Sequence, residues 1–335
     1  MINLSELKEL LSVPKDIVIT THRNPDGDAI GSTLGLSHYL RSHGHTTRLM
    51  APSEYPDFLE WMPGAEEFLI HDIEPEECDR HIQQADMIFC LDYNSLERID
   101  KMGEAIAATD STRVMIDHHL YPDEFCDFMM SDISASSTCE MVFDFIGMMQ
   151  DKDRIDKDTA EALLTGILTD TGSFKYATSP KLFRIVAELT EMGADDYKLQ
   201  DLIFNALSEK SLRLLGHCLA NRMEILPEYK TGIIWLTKED YETFDIKRGE
   251  TEGIVNYLLK MKGIKVAAFI HEQPKITKMS LRSKGDFSVQ EIASKHFRGG
   301  GHKNASGGAS FIGLGNTIRK FKNLLPEYAE QLAAL

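Results

Sequence analysis

The chain is poor in cysteine and in long apolar runs, and each shortage excludes a class of protein. Its 335 residues include five cysteines, Cys78, Cys90, Cys126, Cys139 and Cys218, scattered and without a CxxC pair. That argues against a zinc knuckle and against a disulfide framework. No apolar run approaches the roughly 20 residues of a membrane-spanning helix. The first residues lack the basic segment and apolar core of a secretory leader, so a cytoplasmic protein with no membrane partner is expected. Internal repeats and low-complexity tracts are also missing, which sets aside a repeat array.

What is present suits a globular protein of about two domains, with 42% apolar and 27% charged residues. The net charge of −17 argues against contact with phosphates until its distribution is considered. Between Ile254 and Ala305 stand ten basic residues against Glu272, Asp286 and Glu291, a local excess of +7. A basic patch can bind an anion on an acidic molecule, although such runs are also ordinary solvated surface.

Apolar runs at 16–21, 47–50, 67–70, 85–91 and 113–116 read as strands, and 27–43 reads as a helix with Ile30, Leu34 and Leu36–Leu40 on its apolar face. Strands alternating with helical stretches indicate an open, mainly parallel α/β sheet. Helices are expected at 137–149, 159–169 and 181–192, and 195–224 reads as a helical linker. A smaller α/β domain then spans 225–335, with strands at 231–236, 266–270 and 276–281. Its helices are expected at 251–261, 289–297 and 316–332, the last broken at Pro326. A glycine-rich turn is expected after 297. The domain boundaries are therefore 1–194, 195–224 and 225–335.

Two clusters carry the chemistry: His22-Arg23-Asn24-Pro25-Asp26-Gly27-Asp28 and Asp117-His118-His119. In a parallel sheet, ligands bind beyond the carboxyl ends of the strands, where His22, Asp26, Asp92 and Asp117–His119 are expected to lie. With Asp28 and Asp170 these supply hard oxygens and imidazole nitrogens, the donors of divalent metals. Any one aspartate alone would read as a helix cap or turn residue. Asp26 and Asp28 flank Gly27, so their carboxylates can address two metals. In the second domain Arg282-Ser283 ends a strand, and Gly299-Gly300-Gly301-His302 follows a helix. Glycine backbone can bring amides to a phosphate, and an arginine can grip one bidentately.

These motifs resemble the DHH phosphoesterase superfamily, in the branch of the RecJ-like nucleases, and most closely the stand-alone nanoRNase/pAp phosphatase (NrnA-like) group. The carriers are Thr21–Ser32, Leu91-Asp92, Asp117-His118-His119, Leu168–Phe174 and Ser134–Glu140, with the GGGH run matching the family's associated C-terminal domain. The resemblance implies two divalent ions, with Mn2+ favoured and Mg2+ the alternative. One would be held by His22, Asp26 and Asp92, the other by Asp28, Asp92, His118 and Asp170. Asp117 would orient a ligand, and His119 would face the substrate phosphate. Arg282, Ser283, Gly299, Gly300, Gly301 and His302 would bind the substrate.

The implied activity is hydrolysis of short RNA oligonucleotides to mononucleotides, and of 3′-phosphoadenosine 5′-phosphate (pAp), by in-line attack of a metal-bridging hydroxide. A cyclic or linear dinucleotide phosphodiesterase is the alternative reading. An inorganic pyrophosphatase or polyphosphatase, or an inactive nucleotide sensor, ranks lower. A homodimer is compatible with the chain. Asp100 departs from the family, which often has glycine there, but lies off the expected ligands.

Overall fold

Short runs of valine, isoleucine, leucine and phenylalanine bounded by polar residues become the strands of two separate sheets. The computed structural model describes residues 3–205, 207–247 and 249–334. Two units divide the chain, one running through Ala206 and the other starting at Leu207.

The first unit contains β1 (Asp16–Thr20), β2 (Thr46–Ala51), β3 (Leu69–Ile70), β4 (Met87–Leu91), β5 (Thr112–Asp117) and β6 (Phe128–Ser131). They form one sheet in the order β3-β2-β1-β4-β5-β6, with every neighbouring pair parallel. All five residues of β4 are buried, as expected for a strand covered on both faces. The mainly parallel sheet expected from sequence is therefore present. The expected strand at 67–70 shrinks to β3, because Ala65–Glu67 forms a 3-10 turn. β6 was not anticipated; its run Phe128-Met129-Met130-Ser131 is too short to stand out.

Strand order reverses between β1 and β4. The chain goes outward through β2 and β3, then returns to place β4 on the other side of β1. Such a switch point leaves a crevice at the carboxyl ends of the two central strands. Thr21-His22 leaves β1 there, Asp92 leaves β4 and His118 leaves β5, side by side.

Helix Gly27–Ser42 was expected to be apolar on one face, but its residues from Gly27 to Ser37 are all buried. It packs against helices Thr138–Met149 and Lys157–Asp170. Glycines permit that approach. A Cβ on Gly31 would stand 2.5 Å from the Ala162 carbonyl oxygen, and one on Gly166 would stand 2.2 Å from Cys139 Sγ and 2.8 Å from Asp28 Oδ1.

The second unit holds β7 (Met223–Leu226), β8 (Thr231–Leu236), β9 (Val266–Gln273), β10 (Ile276–Ser283), β11 (Gly300–His302) and β12 (Ala305–Ser310). Their order is β11-β12-β10-β9-β8-β7, and only β8 and β9 pair in parallel. The expected glycine-rich turn is instead β11, an edge strand paired with β12. Gly299 allows this, since a Cβ there would meet the Gly307 carbonyl oxygen at 1.9 Å. The final helix breaks as expected, Leu314–Leu324 giving way to a 3-10 turn at Leu325–Tyr328 that contains Pro326.

The stretch 195–224, expected to be a linker, is shared out. Helix Asp196–Phe204 packs on Lys157–Asp170 of the first unit, whereas helix Glu209–Asn221 packs on β7 and β8 of the second. Met223 and Glu224 already belong to β7, paired with Ile234 and Ile233.

The glycine contacts give a test. Gly31→Ala forces the Ala162 carbonyl away and should destabilise the protein by about 1–3 kcal/mol. A lower urea midpoint at unchanged slope is the expected result. An unchanged midpoint would mean the helices have room to separate.

Candidate metal centre

Each strand end contributes one imidazole or carboxylate, and local hydrogen bonds fix how it points. The His22 Nδ1 lies 2.9 Å from the Arg23 carbonyl, and His118 Nδ1 lies 3.3 Å from that of Ala135. A carbonyl can only accept, so Nδ1 carries a proton in both rings and Nε2 points at the carboxylates, donating to them while the ring is charged and able to give its lone pair to a cation once the ring is neutral. His22 Nε2 is 3.2 Å from Asp92 Oδ2. His118 Nε2 is 3.5 Å from Asp92 Oδ1, 3.4 Å from Asp170 Oδ2 and 3.8 Å from Asp28 Oδ2.

Two three-residue groups result, His22/Asp26/Asp92 and Asp28/Asp92/His118, each with its ligand atoms within 4.8 Å of one another. Asp92 belongs to both. A third group is Asp92/Asp117/His119. Asp170, the last residue of its helix, joins the second group through His118. Asp117 is fully buried and accepts from the His119 backbone N–H at 3.0 Å and from His119 Nδ1–H at 2.7 Å. It therefore sets the tautomer and direction of that ring.

The charges in this cluster are frustrated without a cation. Burial, reinforced by the negative charge of Asp92, pushes the Asp28 carboxyl up to about 7. Burial and Asp28 push Asp170 up as well. Asp92 goes the other way: burial opposes ionisation, but hydrogen bonds from His118 and His22 hold its carboxyl well below the usual range. Burial favours neutral His118, yet Asp92 and Asp170 raise it well above an ordinary histidine. Buried carboxylates competing for protons are the donor set a divalent cation would satisfy.

Sequence reasoning missed the groups that hold these ligands. Asp28 is fully buried and accepts from the backbone N–H groups of Thr138 at 2.6 Å and Cys139 at 2.9 Å, at a helix N-terminus. The Thr138 hydroxyl donates to Asp92 Oδ1 at 3.0 Å. The Ser137-Thr138-Cys139-Glu140 capping pattern was the available signal, and Ser137 does cap that helix. Asp92 itself sits at φ +64, an uncommon conformation for a residue other than glycine. A left-handed run at Gly172, Ser173 and Phe174 follows Asp170, with φ +56, +58 and +61.

Asp100 also gains a role. Its φ of +48 explains why glycine suits the position, and its carboxylate pairs with Nε of Arg23. The same guanidinium binds Asp72 bidentately at 2.8 and 2.6 Å. The loop between His22 and Asp26 is thus clamped from two sides.

In the second unit, Arg282 is half-buried on β10 and Gly299–His302 lies at the edge strand. Ser283 is placed differently from a substrate contact. It is 5% exposed, donates to the Phe287 carbonyl at 2.7 Å and accepts from Asn304 at 2.8 Å.

Comparison with known proteins agrees with this architecture. The model of the DHH family N-terminal domain matches residues 16–167, and that of the DHHA1 domain matches 236–330. The chain is 31% identical to the bifunctional oligoribonuclease and PAP phosphatase NrnA of Thermus thermophilus, over 96% of this chain and 92% of that one. The crystal structure of an exopolyphosphatase-related protein from Bacteroides fragilis superposes with a TM-score of 0.95 at 40% identity, covering 98% and 97% of the two chains. RecJ in complex with Mn2+ from Thermus thermophilus shares the fold, with a TM-score of 0.55 at 14% identity over 98% of this chain and 55% of that one. The family match and the relatives together define a phosphate-ester hydrolase with an α/β catalytic unit. The chain belongs to the DHH family.

The raised pKa values predict proton release on metal binding. Below pH about 7, Asp28 holds a proton that a cation must displace, and the raised pKa of His118 adds to the release. Apparent Mn2+ affinity should therefore rise with pH through 7. Titration calorimetry in buffers of different ionisation enthalpy should show proton release near pH 6.5. Binding that is independent of pH would contradict the frustrated cluster.

Proposed function

We propose that this protein hydrolyses short RNA oligonucleotides to mononucleotides and also removes phosphate from pAp, with divalent metal bound at the strand-end cluster. The observation that carries this reading is the sharing of Asp92 by two ligand groups. A full-length likeness to a relative named oligoribonuclease and PAP phosphatase supports the substrate class. The cytoplasm is the compartment assigned to the protein in this reading.

Two ions fit the donors. His22, Asp26 and Asp92 would hold one; Asp28, Asp92, His118 and Asp170 would hold the other, with Asp92 between them. Mixed carboxylate and imidazole ligands suit Mn2+, with Mg2+ the alternative. When bound, such ions lower the pKa of a coordinated water and offset the charge of the phosphate.

The chain's own groups do the rest. With Nδ1 tied to Asp117, a proton taken up by His119 would sit at Nε2, where the resulting cation would face the substrate phosphate. Burial keeps that ring neutral at rest, lowering its pKa despite the Asp117 bond. Arg282, His302 and the amides of Gly299, Gly300 and Gly301 would contribute contacts to substrate phosphate. Ser283 supports the Arg282 strand through its internal hydrogen bonds.

The test is Mn2+-dependent hydrolysis of a matched panel: an RNA dinucleotide, a long RNA, pAp, cyclic di-AMP, pyrophosphate and polyphosphate. Mononucleotide release should be fast from the dinucleotide and slow from the long RNA. Turnover confined to cyclic di-AMP, pyrophosphate or polyphosphate would overturn the substrate assignment and leave the metal centre standing.

Substitutions separate the roles. Asp92→Ala should abolish turnover in a folded protein. Asp117→Asn, which misdirects His119, should lower kcat by about 10–100-fold. Arg282→Ala should raise KM more than it lowers kcat. Unchanged kinetics in any of the three would remove the role assigned to that residue.

A further inference from the structure

The loop after His119 carries an exposed aromatic that none of the chemistry above uses. Tyr121 is 80% exposed. It stands two residues after His119, so chain length alone keeps its Cα within about 7 Å of that of His119. Its backbone has φ +60, which is rare for a bulky side chain, and Pro122 follows and narrows the choice of conformation further.

The loop around it is fastened on both sides. Asn94, two residues from Asp92, donates from its side chain to the Leu120 carbonyl at 2.6 Å. The Asn94 carbonyl accepts from the Asp123 backbone N–H at 2.8 Å. Farther along, the Phe125 ring stacks on buried Tyr93 at 6.1 Å and 9°, and Arg113 donates to the Phe125 carbonyl at 3.2 Å. Leu120, Asp123 and Phe125 are thus tied down, while the Tyr121 side chain is exposed to solvent. A loop that merely connected β5 to β6 would gain nothing from a strained aromatic at its tip.

We infer that Tyr121 is a stacking platform for a nucleobase of the substrate and so determines a preference for base-bearing phosphate esters. This rests on the proposed function and extends it. A flat ring on a loop that starts beside His119 can recognise any base by its π-face, whatever its hydrogen-bonding edge. It would do nothing for pyrophosphate or polyphosphate, which have no base to stack. The fastening by Asn94 also matters, because a loop backbone anchored before binding has less conformational entropy to lose when the base arrives.

The experiment compares an RNA dinucleotide with the same dinucleotide made abasic at one position or the other, as substrates or as competitive inhibitors. The wild-type protein should prefer the base-bearing compound at one of the two positions. Tyr121→Ala should raise KM for that compound by about 5- to 150-fold and collapse the preference, with the Mn2+ affinity unmoved. Tyr121→Phe should retain the preference, and Tyr121→Leu should lose it despite similar bulk. The side chain is exposed, so equal melting temperatures will confirm that all three variants fold. Preference kept in Tyr121→Ala would overturn the platform while leaving the hydrolase reading intact. Failure of the wild-type protein to cleave any RNA dinucleotide would instead remove the function on which the platform rests.

Discussion

Mutual repulsion among carboxylates gathered at the carboxyl ends of three parallel strands and the ends of two helices is the constraint to which the first unit is built. Asp28 and Asp92 are almost wholly buried, and Asp26 and Asp170 lie beside them. Isolated charges of this kind are costly in a protein interior. The unit answers with fixed dipoles. The helix that begins at Thr138 aims its first amides at Asp28, and the Thr138 hydroxyl is directed at Asp92. Two imidazoles stand against Asp92 with Nε2 turned inward. These partners hold the geometry, yet Asp28 still resists ionisation, and that residual frustration is what a divalent cation would relieve.

Much of the remaining architecture serves that geometry. Gly31 and Gly166 let three helices close around Asp28, so its carboxylate is placed by backbone packing rather than by a flexible side chain. Arg23 ties the loop between His22 and Asp26 to Asp72 and Asp100, drawn from the segments after β3 and β4. Asp117 immobilises His119 without leaving the core. Positive φ at Asp92, Ser173 and Phe174 shows backbone strain beside the candidate ligands. The second unit has its own mixed sheet and core and carries the basic excess and the glycine edge strand.

The parallel sheet was legible because β1, β4 and β5 are central strands whose apolar runs end abruptly in His22, Asp92 and Asp117. Strand ends are also where convergence is cheapest to encode, so the His22–Asp28 and Asp117–His119 motifs pointed to one place. What sequence did not disclose was set by tertiary contact. Gly299 and Gly301 read as a turn, but their freedom is used to press an edge strand onto β12. Ser283 read as a ligand, but its hydroxyl closes the turn after β10. Asp100 looked incidental because its partner Arg23 is far away in sequence. The connector at 195–224 had helical periodicity throughout, and only packing could show that its two helices belong to different units.

The central claim is that Asp92 joins two metal positions. Electron paramagnetic resonance of the protein titrated with Mn2+ tests it most directly. The account predicts two bound ions per chain with the closely spaced multiline spectrum of an exchange-coupled pair, collapsing to an uncoupled six-line signal in Asp92→Asn. A single bound ion, or two ions that never couple in the unaltered protein, would contradict it.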